Sequence, residues 1–280
     1  MNYTHPIIAT SYILHAISDQ PVLFMFDSDM TLVDWVSPHQ IREADPPQET
    51  KTHLHELHAL EDVFVSFNTG RDEPYMHTTY QAPFPGAFAH GQYLRKEFGH
   101  AVEQVFPLPD FSELDKIINS AIAHRTDLKV EHTKEKRVIH FSDSLTDEEA
   151  VRIHAHLTQL IETSNLLTDE PLGILTGNRI FEIGHVEAGK GPATLTLRQH
   201  YPDHITLSAG DTFTDIDMLN HSDIAILIGD MIPDEAISGP STTIRLKTPE
   251  DMRKVVQSLH LHLSLDMERR ADLQALNIEF

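Results

Sequence analysis

The 280 residues contain no cysteine, which excludes disulfides, thiolate zinc sites and a cysteine nucleophile together. Basic residues are few: 21 lysines and arginines face 43 acidic residues, and the formal charge of −22 disfavours nucleic acid and anionic membrane surfaces as partners. The same field repels a phosphorylated substrate at long range, so such a substrate needs cations placed locally to hold it. No apolar run approaches the roughly 20 residues of a membrane span. The opening MNYTHPIIATSYIL has no basic region ahead of its apolar residues, so no secretory leader is expected and the location read from the sequence is cytoplasmic. No internal repeat or low-complexity segment is found. Histidine, by contrast, is plentiful. Protonating all 20 would move the formal charge from −22 to −2, so solubility is expected to fall on acidification.

With 40% hydrophobic and 23% charged residues, the chain can form one large α/β domain or two smaller ones. Its most informative stretch is residues 22–34, VLFMFDSDMTLVD. Five apolar residues run without alternation into Asp27, as in a strand buried on both faces of a parallel sheet. Asp27 and Asp29 then stand where that strand should end, and the ligand crevice of an open α/β sheet lies outside the carboxyl ends of its strands. Aspartates that merely stabilise a turn look the same in isolation.

The pattern recurs. Residues 63–67 are apolar and end in Asn68-Thr69-Gly70-Arg71; residues 204–209 end in Gly210-Asp211, with Asp215 four further on. Residues 224–228 and 244–247 read as further strands, and 7–18, 46–60, 190–201 and a segment from Thr248 as helices. Residues 35–45 read as loop. His53, His55 and His58 lie on the second of these helices, but only His55 and His58 share a face and no third ligand is evident, so a solvated surface is expected. Between 92 and 185 the texture changes. Helices at 111–124 and 146–162 alternate with two strands in 128–141, around a Lys134-Glu135-Lys136 turn, and with a hairpin at 172–183 turning at Thr176-Gly177-Asn178. The expected fold class is α/β: a doubly wound, Rossmann-like parallel-sheet core from residues 1–91 and 186–280, with an inserted α+β cap domain at 92–185.

A parallel sheet gathers the ends of its strands at one edge, bringing Asp27, Asp29, Thr69, Asp211 and Asp215 together with Lys190, which stands at a helix start. Such carboxylates repel one another without a cation, and an oxygen-lined site that keeps several waters suits Mg²⁺, above all when the substrate brings phosphate oxygens. Phosphoester chemistry assigns Asp27 as nucleophile, giving an aspartyl-phosphate, and Asp29 as the acid that protonates the leaving alcohol and then activates water. Lys190 and Thr69 hold the phosphoryl oxygens. Asp27, Asp29, Asp211 and Asp215 make up the expected metal shell, in which Asp215 also orients waters or Lys190.

In order along the chain, FDSDMTLVD, Thr69 in FNTGR, Lys190 in AGKG, and Asp211 with Asp215 in GDTFTDIDML resemble the four motifs of haloacid-dehalogenase-like phosphatases. The insertion between the second and third motifs resembles the class IIB cap. Within that class, His90-Gly91 in AFAHGQYLR, VIHF around His140, and Glu182-Ile183 ahead of GKG are similar to trehalose-6-phosphate phosphatases. The resemblance implies a Mg²⁺-dependent phosphoric monoester hydrolase acting on a small phosphorylated sugar, trehalose 6-phosphate first, with Arg71, His90, Gly91, His140 and Glu182 binding it. Sucrose 6-phosphate, mannosylphosphoglycerate and hexose phosphates are the alternatives. Some positions depart from the pattern. Met30 replaces a glycine, Thr212 the second of two aspartates and Ile216 a glutamate, while Gly184 and Ser142 stand where cations are expected.

Two rivals differ in class. Residues 184–190 have the spacing of a nucleotide-cradling loop, but Gly191 replaces its Ser or Thr, and Asp27, Asp29 and Thr69 go unused. A non-catalytic sugar-phosphate-binding protein fits the altered cap, although every reacting residue is present. Monomer and dimer are both open.

Overall fold

The computed structural model describes residues 2–18, 20–34, 45–176 and 179–275. In chain order its elements are α1 (Pro6–Ala16), β1 (Val22–Phe26), α2 (Gln48–His58), β2 (Val63–Asn68), α3 (Glu73–Tyr80), β3 (Gly86–Phe88), β4 (Tyr93–Arg95), β5 (Glu103–Gln104), α4 (Ser112–Ile122), β6 (Leu128–His132), β7 (Arg137–Phe141), α5 (Asp147–Thr163), α6 (Leu166–Asp169), β8 (Leu172–Thr176), β9 (Ile180–His185), α7 (Lys190–His200), β10 (Ile205–Gly210), α8 (Ile216–Asn220), β11 (Ile224–Ile228), β12 (Thr242–Leu246) and α9 (Pro249–Ala275).

The strands make two sheets. The larger has the order β12-β11-β10-β1-β2-β3-β4-β5, parallel from β12 to β3 and antiparallel beyond it. All five residues of β1 are buried. Val22, Phe24 and Phe26 face a core shared with α1, α2 and α9, through Ala9, Ile13, Leu54, Leu57, Met252 and Val255. Leu23 and Met25 face Leu197 of α7 and Met218 of α8. Helices on both faces are why β1 reads as an unbroken apolar run, and each buried Phe there contributes about 1.5–3 kcal/mol. Phe26 stands opposite both Ala209 of β10 and Phe67 of β2, so the residues that follow these three strands emerge together at one edge.

The second sheet, β6-β7-β9-β8, is wholly antiparallel and has its own core, in which Ile139, Phe141, Phe181 and Ile183 pack on Leu114 and Ile118 of α4 and Leu157 and Ile161 of α5. Thr146 and Glu149 cap α5 reciprocally, satisfying two otherwise unpaired N–H groups.

The structure departs from the sequence reading in four places, the first being α3, a helix not read in the Pro- and Gly-containing stretch after Arg71. The large sheet continues past residue 92, because β4 and β5 fold back on β3 through a tight turn in which Ala89, His90 and Gly91 all have positive φ (49°, 54° and 87°). Strands of two or three residues leave no periodicity to read. The short helix α6 is missed for the same reason. The helix read from Thr248, whose end the sequence leaves open, runs as α9 to Ala275. The histidines of α2 are not a solvated surface: His53, His55 and His58 are all partly buried. His55 Nε2 meets the Tyr80 carbonyl oxygen at 2.9 Å, and His58 Nδ1 accepts from the Val65 N–H at 3.0 Å. The loop at 35–44 and the turn residues Gly177 and Asn178 lie outside the described residues. Among those described, no helix is long and apolar enough to cross a membrane.

Candidate active site

Lys190 is the first residue of α7, and its Nζ donates to Asp27 Oδ1 at 2.7 Å and to Asp215 Oδ1 at 2.5 Å. Asn68, the last residue of β2, fixes that helix start. Its side-chain amide donates to the Lys190 carbonyl (2.8 Å) and to the Thr194 hydroxyl (3.0 Å). Asp215 is fully buried, and its Oδ2 accepts from the backbone N–H groups of Asp211 (3.0 Å) and Thr212 (2.9 Å) and from the Thr212 hydroxyl (3.1 Å). Asp211 Oδ1 accepts from Thr31 at 3.4 Å, while its Oδ2 is buried with no partner. Candidate ligand oxygens of Asp27, Asp211 and Asp215 lie within 4.8 Å of one another.

Three carboxylates therefore face one ammonium, with Asp27, Lys190, Asp211 and Asp215 all under 7% exposed. Burial, then Asp215 and Asp29, push the Asp27 carboxyl up to about 7 against the pull of Lys190. Burial and the same neighbouring carboxylates hold Asp211 well above the ordinary range. Burial alone would lower the Lys190 ammonium, but Asp215 and Asp27 outweigh it and raise it.

Asp29 is placed differently from the expectation that it completes the metal shell. Arg71 grips both its oxygens, Nε to Oδ2 at 2.7 Å and Nη2 to Oδ1 at 3.1 Å, so its carboxylate is committed to a guanidinium rather than to the Asp27 cluster. Arg71 in turn lies 4.9 Å over the Tyr75 ring. Thr69 is fully buried directly after β2, its hydroxyl accepting from the Arg71 N–H at 3.2 Å.

Above this edge the second sheet meets the first through His90, whose Nε2 is 3.1 Å from Glu182 Oε1. The other Glu182 oxygen takes Lys136 Nζ at 3.0 Å. Burial opposes ionisation of Glu182, but His90 and Lys136 outweigh it and hold the carboxyl far below its usual range. Gly70 makes room for His90, since a Cβ there would stand 2.6 Å from the ring nitrogen. Gly91 is a close approach too: a Cβ would meet the Gly189 carbonyl oxygen at 3.1 Å, so its part is packing on the start of α7. His140 pairs across the second sheet with Glu131, Nε2 to Oε2 at 3.1 Å.

No family model and no curated protein matches the sequence. Solved structures do. The C-terminal domain of Candida albicans trehalose-6-phosphate phosphatase superposes with a TM-score of 0.73 at 16% identity, over 93% of this chain and 99% of that one. The C-terminal domain of the C. albicans trehalose synthase regulatory protein gives 0.62 at 11% identity, over 88% and 97%. The sucrose-phosphatase of Synechocystis, in complex with sucrose and phosphate, gives 0.53 at 15% identity, over 88% and 98%. The chain shares the fold of these structures and of a HAD/COF-like hydrolase from Plasmodium vivax. At these identities the likeness carries architecture, not activity: one Candida protein is named a phosphatase and the other a regulatory protein.

The resemblance to haloacid-dehalogenase-like phosphatases implies Mg²⁺, and the residues fit it. The donors are all oxygen, the buried cluster carries more carboxylates than cations, and Asp211 Oδ2 lacks any partner. Asp27 and Asp211 each keep an oxygen with which to hold the ion, whereas Asp215, expected as a further ligand, has both oxygens taken by Lys190 and the 211–212 segment.

Sequence reasoning missed Asn68 and Thr194, which position Lys190, and Lys136, which pairs with Glu182 from beside position 184. The signal for Lys136 is register: Arg137 pairs with Ile183, so Lys136 falls beside Gly184. A Cβ at Gly184 would touch Lys136 Cβ at 3.6 Å.

Proposed function

We propose that the chain is a Mg²⁺-dependent sugar-phosphate phosphatase working through an aspartyl-phosphate on Asp27, with trehalose 6-phosphate as first substrate. The observation that carries this reading is the Asp27-Lys190-Asp215-Asp211 cluster at the edge where β1 and β10 end. Lys190 occupies Oδ1 of Asp27, leaving Oδ2 to attack phosphorus. The P–O bond to the sugar breaks, and the leaving oxygen takes a proton from Asp29. Asp29 then takes a proton from water, which attacks the aspartyl-phosphate and frees inorganic phosphate and Asp27. Mg²⁺, when bound, supplies positive charge beside the phosphoryl oxygens. Lys190 adds a buried ammonium there, and Thr69 a hydroxyl.

Arg71 must release Asp29 for that cycle, and an incoming phosphate offers it a competing anion of suitable geometry. We assign the second sheet and its helices as a cap carrying the sugar site. Glu182 and Lys136 face His90 there, with His140 and Glu131 alongside. Closure of such a unit excludes water while the core does the chemistry.

One observation favours a non-catalytic sugar-phosphate-binding protein instead: the acid Asp29 is clamped at both oxygens. Phosphate release from a panel of trehalose 6-phosphate, sucrose 6-phosphate, mannosylphosphoglycerate and hexose phosphates decides. Fastest turnover of trehalose 6-phosphate is expected. Faster turnover of another member replaces the substrate, and binding without release of phosphate from any of them decides for the rival.

A further inference from the structure

Residues on α2 and α9, which pack together on the sheet face away from α7, form a cluster that the phosphatase reading does not use. His53 and Glu56 are three residues apart on α2 and so share a face. His260 reaches them from α9. His53 Nδ1 and His260 Nδ1 are 3.0 Å apart, and Glu56 Oε2 lies 3.6 Å from the first and 3.4 Å from the second. Zinc bound tetrahedrally at about 2.0–2.1 Å sets its ligands about 3.3–3.4 Å apart. The three atoms stand close to that spacing on every edge.

A hydrogen bond between two neutral imidazoles would account for the 3.0 Å edge but not for the rest. The carboxylate is at ion-pair distance from both rings and is hydrogen-bonded to neither. His53 Nε2, on the outward side of its ring, is buried without a hydrogen-bond partner. Glu49 Oε1 stands 3.6 Å from that nitrogen and accepts from Gln257 of α9 at 3.0 Å. A carboxylate beside the outer nitrogen of a ligating histidine is the usual support that fixes its tautomer.

We propose that His53, Glu56 and His260 bind a late first-row divalent cation of the Zn²⁺ class, separate from the Asp27 cluster. Two imidazoles and a carboxylate favour such an ion over Mg²⁺, which takes oxygen ligands. Three protein ligands leave a fourth position for water, and the half-exposed Glu56 keeps the site open to it. The ion ties α9 to α2. Because it binds only the folded arrangement, it stabilises the chain by mass action.

The test uses the full chain, stripped with chelator and returned to excess Mg²⁺ so that the carboxylate cluster is occupied. Co²⁺ is titrated by its visible absorption and then displaced by Zn²⁺. One equivalent with the intense bands of low-coordinate cobalt is expected for the wild type and for Asp27→Asn, and none for His260→Ala. Glu56→Gln alters a half-exposed side chain and keeps the fold. It should weaken Zn²⁺ binding by more than about tenfold, since loss of even a supporting partner costs that much. The proposal is overturned if the wild type binds no Zn²⁺, if Glu56→Gln binds it as tightly as the wild type, or if binding disappears in Asp27→Asn.

Discussion

At position 184 a glycine stands where a cation was expected, and the cation sits one strand away. Lys136 reaches Glu182 at 3.0 Å from the turn before β7, a placement set by strand register that no local pattern encodes. If that ammonium holds substrate, Lys136→Ala should raise KM for the sugar phosphate by about 10–100-fold, the weight of a hydrogen bond to a charged group, and change kcat less. A kcat loss at constant KM would remove Lys136 from substrate binding. Asp29→Asn should slow turnover by about 10²–10⁴-fold as a positioned acid or base is lost, and an unchanged rate would refute its role. Asp27, Thr69, Lys190, Asp211 and Asp215 were legible because each directly follows a buried strand or opens a helix beside one. The Arg71 clamp on Asp29 was not, because it depends on two side-chain conformations that residue order does not fix.

Elements were legible where their period is long enough to count. β1, β2, β10 and β11 are apolar runs closed by polar tips, and the helices of the second unit follow hydrophobic spacing; β4, β5 and α6 are too short to leave a pattern. The histidines of α2 were misread because their partners come from elsewhere. His58 packs against Phe84 and Phe98 and accepts from Val65, and burial, with His55 adding, pushes it down to about 4. Its folded value lies below its ordinary one, so it stabilises the fold when neutral, and that stability is lost as pH falls from about 6.5 toward 4. Thermal unfolding across that window should show Tm falling with pH in the wild type and a shallower slope in His58→Gln. Equal slopes would mean that His58 is not held neutral.

For the whole molecule the excess of acid has a local and a global consequence. Acidification does not titrate all 20 histidines together, because burial holds His58, His90, His154 and His204 low, so the net charge stays more negative than −2 over the range in which free histidines protonate. In the buried cluster the direction is opposite. Asp27 and Asp211 are both raised, so without metal the fold binds protons there, and Asp27 alone costs stability as pH rises through its value of about 7. A divalent cation needs those oxygens ionised. Mg²⁺ should therefore raise Tm more at about pH 8 than at about pH 5, and the difference should shrink in Asp27→Asn. An increment independent of pH would place the ion elsewhere.

Turnover through an aspartyl-phosphate requires that Asp27 carry a phosphoryl group. The most direct measurement is peptide mass spectrometry of protein acid-quenched while it turns over the sugar phosphate that it hydrolyses fastest. Phosphoryl on the peptide containing Asp27, absent from Asp27→Asn along with phosphate release, is the expected result. Phosphate release that continues with no phosphoryl on Asp27, or that survives Asp27→Asn, would contradict it.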